Sequence, residues 1–320
     1  MDQIVGIVVP VFGLIGIGYA LASTRALTYE TGEALGDFVF SVAIPVLIFR
    51  TIATADFSAG EPWRLWLPFF AAFALAWIAG TALIRRGFGR DHRAGLVGGI
   101  AAAYGNTVLI GLPLVLAAYG PQGAVPLALI IALHMPVMMA ASAVMIGRAE
   151  RLDTISSQAG DMRAAALAAL RHLATSPIII GIAAGGLWRL TGVPLGGVGG
   201  DLVGRIADVA GTLALIAMGM SVRRYGVKRN VAAGLALAAL KLLLMPALVL
   251  LAAGFMGLPP VWAKVAVIAA ACPTGVNSYL VAGRFRTGEA LASNAIAIST
   301  GLAVLTTAFW LNVVAWALPS

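Results

Sequence analysis

The sequence predicts an all-α integral membrane protein of ten spanning helices, built as two inverted five-helix repeats. Three observations predict it: a composition too apolar for a water-soluble domain, ten apolar stretches of membrane-crossing length, and polar residues that recur after 171 positions. Of 320 residues, 61% are hydrophobic and 11% charged, with a mean hydropathy of +0.97. Soluble domains carry roughly 25% charged residues. The net charge of +8 would draw nucleic acid if it lay on one face. It is instead divided among loops, so the expected partner is the lipid bilayer and not nucleic acid. Cys272 is the only cysteine, which excludes an intrachain disulfide and a thiolate metal cluster.

Continuous apolarity between charged or Gly/Pro-rich breaks places the spans at 3–22, 34–54, 63–84, 94–119, 122–147, 173–190, 203–221, 231–254, 262–283 and 292–317. Ala20-Leu21-Ala22 resembles a signal-peptidase site, but Asp2 stands where a basic n-region would be and the apolar run is long, so span one reads as retained. If the spans alternate sides, one set of loops holds 15 Lys and Arg residues, from Arg25 to Arg286, and the other only Arg64, Arg189 and Lys264. The positive-inside rule then puts both termini outside and the middle loop in the cytoplasm of a bacterial inner membrane. Three regions follow: a first repeat at 1–147, a cytoplasmic linker at 148–172, and a second repeat at 173–320. Within the linker, Met162–Leu173 reads as a short amphipathic helix.

Two spans are interrupted. Ala101–Ala118, AAAYGNTVLIGLPLVLAA, carries Gly105, Asn106, Thr107, Gly111 and Pro113, and Ala269–Gly283, AAACPTGVNSYLVAG, carries Pro273, Thr274, Gly275, Asn277 and Ser278. A backbone group freed in lipid costs several kcal/mol unless protein, water or ligand satisfies it, so a break at that depth implies a lined cavity. Asn106 and Asn277 are 171 residues apart, as are Thr107 and Ser278, Asp37 and Asp208, and Ser41 and Thr212. Five spans per repeat, an odd number, makes the second half enter from the opposite side. Paired broken spans of this kind point to a transport site.

The candidate substrate-binding residues are Asn106, Thr107, Gly111, Pro113, Pro273, Thr274, Asn277 and Ser278. Half-helix N-termini carry about half a positive charge, Pro113 and Pro273 suit first-turn positions, and the amides donate hydrogen bonds, a combination that favours a small carboxylate. Asp37, Asp208 and Lys241 are the candidate coupling or charge residues. The two aspartates fit either an interfacial pairing, Asp208 with Arg205, or proton coupling; Lys241 fits snorkelling, an Asp partner or the substrate charge. His134, beside Met135 and Pro136, reads as a packed or hydrogen-bonded histidine near a kink in preference to the alternative, a proton relay.

At GNTVLIGLPL, Gly105–Leu114, and CPTGVNSYLVAGRF, Cys272–Phe285, the chain resembles the auxin efflux carrier family, which includes plant PIN-type carriers and bacterial carriers labelled malonate transporters. The resemblance implies a fold like that of bile-acid:sodium symporters and sodium/proton antiporters, with spans four and nine crossing at mid-membrane. It also implies a scaffold of spans 1, 2, 6 and 7, a transport unit of spans 3–5 and 8–10 moving as an elevator, and a substrate site lined by Asn106, Pro113, Pro273 and Asn277. Carriers of this architecture often form homodimers through the scaffold.

The expected function is secondary transport of a small organic anion by alternating access, with dicarboxylates and auxin-like monocarboxylates both fitting. The alternative is a membrane-embedded sensor that signals through 148–172. No Walker A, dinucleotide or zinc-protease pattern appears, and no Ser/His, Cys/His or paired-carboxylate set has catalytic spacing. Neither an enzyme nor a metal or other cofactor is expected.

Overall fold

The computed structural model describes residues 2–55, 61–153, 171, 174–227 and 231–318. Among these the chain is helical apart from short turns and one isolated β-bridge. In order, the helices are α1 (Asp2–Ser23), α2 (Tyr29–Thr54), α3 (Pro62–Gly87), α4 (His92–Ala103), α5 (Thr107–Tyr119), α6 (Pro121–Leu152), α7 (Pro177–Leu190), α8 (Gly197–Tyr225), α9 (Val231–Met256), α10 (Pro260–Ala271), α11 (Asn277–Phe285) and α12 (Glu289–Ala317). Seven of them, α1, α2, α3, α6, α8, α9 and α12, are long and apolar enough to cross a bilayer. At 1.5 Å per residue, the 26 residues of α2 reach about 39 Å, more than the ~30 Å hydrocarbon core. The shorter α5, α7 and α10 are apolar but fall below that length alone.

The local sequence explains where these helices start and stop. Proline opens α3, α6, α7 and α10, a position whose missing N–H has no helical partner in any case. Thr28 and Asp91 cap α2 and α4 by accepting from the N–H groups of Thr31 and Ala94 at 3.3 and 2.7 Å. α6 runs five residues past the expected end at 147, because Arg148–Leu152 contains neither glycine nor proline. The expected amphipathic helix at Met162–Leu173 lies, except for Arg171, outside the described residues.

Proline also explains three wide turns. π-helical turns occupy Val39–Ala43, Thr107–Gly111 and Leu240–Leu244, each two residues before a proline: Pro45, Pro113 and Pro246. A proline ring clashes with the carbonyl four residues back and cannot donate to it, and an extra residue in the turn moves that carbonyl aside. Near α9 the freed carbonyl is satisfied from elsewhere: Leu242 O, four residues before Pro246, accepts from Trp310 Nε1 at 2.7 Å.

The helices pack as two sets. α1 lies along α8 and α2 along α7, with α2 also against α8. Glycine permits this closeness: a Cβ on Gly18 would overlap the Ile216 carbonyl, one on Gly219 the Ile15 carbonyl, and ones on Gly181 and Gly185 the carbonyls of Pro45 and Phe49. In the second set α3 packs on α4 and α9, and α9 on α10 and α12. The two interrupted helix pairs, α4–α5 and α10–α11, meet inside that second set.

Candidate functional site

The breaks fall where the sequence places them, at Tyr104–Asn106 and Cys272–Val276. There the two chains run antiparallel and exchange backbone hydrogen bonds: Asn106 N–H donates to Pro273 O at 2.8 Å and Gly275 N–H to Tyr104 O at 2.9 Å, around the Gly105–Thr274 bridge. The polar groups released by unwinding are thus largely satisfied by each other. Thr274 fastens the crossing from outside, its hydroxyl donating to Ala101 O at 2.8 Å and its N–H to Ser299 Oγ at 3.0 Å.

A cavity of about 220 Å³ opens beside the crossing, lined by the crossing itself (Tyr104–Leu109, Gly275–Asn277), by Ile131 and His134–Pro136 of α6, by Phe40 of α2 and by Thr175–Ile179 at the start of α7. Its lining is mainly apolar, with Tyr104, Asn106, Thr107, His134, Thr175, Ser176 and Asn277 as the residues that bring polar side-chain atoms. Both N-terminal ends, at Thr107 of α5 and Asn277 of α11, border it, so two positive helix ends face one space. The Asn106 carbonyl oxygen is committed to capping α5, accepting from Leu109 N–H at 3.2 Å, while its amide nitrogen donates to Met218 Sδ at 3.0 Å. Asn277 likewise donates to Met135 Sδ, at 3.4 Å. Thioether sulfur is a weak acceptor, so two amide donors beside the cavity hold poor partners.

Of the eight residues expected at the site, Asn106, Thr107 and Asn277 line the cavity. The other five surround it without lining it. Gly111, within α5, faces Cys272, where a Cβ would stand 3.0 Å from Sγ. Pro113 faces Gly211 of α8. Pro273 is not in a first helical turn but in the extended break, where its carbonyl serves Asn106. Thr274 faces Ala101 and Ser299, and the Ser278 hydroxyl turns back to Gly275 O at 3.0 Å. Closeness to a break in sequence does not tell which face of the crossing a side chain takes.

The charged candidates stand away from the cavity. Asp37 is exposed, and Asp208 pairs with Arg50 of α2 at 2.7 Å, not with Arg205 one turn earlier. Lys241 is fully buried in the wide turn of α9, its ammonium bonded to Ala270 O and 3.5 Å from Met245 Sδ. No carboxylate pairs with it among the described residues. It sits instead on the negative end of α10, separated from the cavity by Gly105, where a Cβ would stand 3.1 Å from Nζ. Sequence reasoning did not anticipate Tyr104, Phe40, Met135 or Ser176 at the site. The Ser-Pro that opens α7 is the one local signal that could have marked the last of these.

A multi-pass helical membrane protein whose interrupted helices border a mainly apolar cavity holding a few polar side chains defines a membrane transporter. The chain belongs to the membrane transport protein family, that of the auxin efflux carriers, whose family model matches residues 3–311. This is a family of transporters and not of enzymes. It is 31% identical to a protein of Rhizobium meliloti (strain 1021) named "Putative malonate transporter", over 96% of this chain and 94% of that one. It is 26% identical to an "Uncharacterized transporter" of Methanothermobacter thermautotrophicus (strain ATCC 29096 / DSM 1053 / JCM 10044 / NBRC 100330 / Delta H), over 95% of this chain and 96% of that one.

Proposed function

We propose that this protein is a secondary carrier of small carboxylates, with Asn106, Thr107 and Asn277 and the two helix ends as its anion site. The observation that carries the reading is that the Asn106 and Asn277 amide nitrogens both donate to methionine sulfur, a weak acceptor, at 3.0 and 3.4 Å. A carboxylate between α5 and α11 would replace two weak acceptors with charged oxygens, and charge-assisted bonds are roughly twice as strong as neutral ones. The name of the Rhizobium meliloti relative favours a short dicarboxylate as substrate.

The same reading takes the chain as ten spans in two inverted repeats, 1–147 and 173–320, joined by a cytoplasmic linker at 148–172, with both termini outside the inner membrane. The reciprocal pairing of α1 with α8 and of α7 with α2 supports it, since inverted halves should exchange equivalent contacts. So does the cavity wall, which joins residues of α2 and of the start of α7 to residues of the crossing. That is the boundary along which an elevator would slide. Thermal-shift measurement of purified protein against malonate tests the site: ligand should raise the midpoint by mass action. N106A and N277A should remain folded and lose the shift. Unaltered shifts in both variants would refute it.

A further inference from the structure

His134 is 1% exposed, yet it forms part of the cavity wall. Its ring is held by aromatic neighbours, with centroids 5.6 Å from Phe69, 5.5 Å from Phe73, 6.5 Å from Phe70 and 4.4 Å from Tyr104. Nδ1 lies 3.4 Å from the Thr107 hydroxyl, and Nε2 has no hydrogen-bond partner among the described residues. A buried polar atom left unpaired costs free energy, and packing alone would be served as well by phenylalanine. Among the described residues that line the cavity, it is the one imidazole, carboxyl or amine side chain.

We propose that the Thr107–His134 pair is a proton site of the carrier: one proton enters with each carboxylate, resides on the His134 imidazole, and leaves with the anion. The proposal rests on the carboxylate reading of the cavity. The geometry supplies the path, because Thr107 lines the cavity next to Asn106 and its hydroxyl can donate to a bound carboxylate while accepting from Nδ1–H. It also supplies the coupling. A buried imidazolium needs a counter-ion, and among the described residues none of the neighbouring elements offers one. α3 presents Phe69, Phe70 and Phe73, the crossing presents Tyr104, and the charge that acts on the ring is the Lys241 cation. The substrate anion is the missing charge, so proton and substrate stabilise each other in the cavity.

Calorimetric titration with malonate in buffers of different ionisation enthalpy reads the protons bound per ligand. For the wild type, the heat at neutral pH should depend on the buffer, reporting net proton uptake, and affinity should rise as pH falls. H134Q should bind malonate more weakly, on the order of tenfold at acidic pH, with buffer dependence lost. T107V should weaken both. Uptake that persists in H134Q would place the proton on the ligand or elsewhere and overturn the proposal while leaving the carboxylate site intact. Absence of any malonate heat in the wild type would overturn the site and the proton proposal together. Because H134Q could unfold, imidazole ¹⁵N resonances provide a second reading. The chain has three histidines, and H92Q/H172Q leaves His134 alone. Its signal should convert to imidazolium on adding malonate, and a signal that stays neutral would overturn the proposal.

Discussion

Gly105 and Lys241 meet behind the crossing: a Cβ at residue 105 would stand 3.1 Å from both Cε and Nζ of the lysine, whose ammonium is bonded to Ala270 O. The ammonium thus fills the space that a side chain at the first break would take. G105A should cost about 1–3 kcal/mol through overpacking, read as a lower unfolding midpoint in detergent. K241M removes the charge and the bond to Ala270 but keeps a flexible chain, so G105A/K241M should lose less than the two single variants combined. Strict additivity would show that the two residues do not press on each other.

Leu242 O depends on Trp310 because Pro246 cannot serve it. W310F should leave that buried carbonyl unpaired, at a cost of about 1–3 kcal/mol. Restoring a backbone donor with P246A should recover part of the loss, whereas P246A alone would reshape the wide turn around Lys241. Equal destabilisation by W310F in the wild-type and P246A backgrounds, measured by denaturation midpoints, would exclude this coupling.

Asp153, just past the end of α6, binds the start of α4. Its side chain is 9% exposed and accepts from His92 N–H at 3.0 Å and Arg93 N–H at 3.1 Å, with His92 Nδ1 at 2.6 Å. Burial alone would raise its pKa, but the hydrogen bonds from His92 and Arg93 outweigh it and hold the carboxyl below its ordinary range. With the folded value below the unfolded one, the unfolded chain binds the proton more readily. The contribution is therefore complete above about pH 4 and is lost as pH falls through the folded value. D153N should lower the midpoint at pH 7, and its difference from wild type should shrink below about pH 4. A difference that is constant from pH 7 to pH 3 would contradict the assignment.

The sequence made the breaks legible because Gly105-Asn106 and Pro273-Thr274-Gly275 are residues that a helix in lipid avoids. The matched offset of Asn106 and Asn277 was enough to bring both to one cavity. Orientation was not legible. Gly111, Pro113, Thr274 and Ser278 are as close to a break as the asparagines, and which way each faces is decided by the antiparallel register of the crossing. The acceptors Met135 and Met218 carry no local signal, since methionine is ordinary in apolar helices. Arg50 is 158 positions from the aspartate it pairs with, while Arg205, one turn away, is the pairing partner the local sequence offers beside the alternative of proton coupling. His134 had the look of core packing beside a proline, and its aromatic surroundings bear that out; only the third dimension adds the cavity wall and the idle Nε2.

The shared backbone bonds between Tyr104–Asn106 and Pro273–Gly275 make the two unwound segments a single mechanical part. Drawing α5 away from α11 would strand main-chain donors and acceptors in an oily interior. Among the described residues no such backbone bond joins Phe40 or Ser176–Ile178 to the crossing, while α2 and α7 are seated on each other glycine to carbonyl. On the carrier reading proposed above, that wall is where the protein would part, and the clasped chains are the piece that would stay whole.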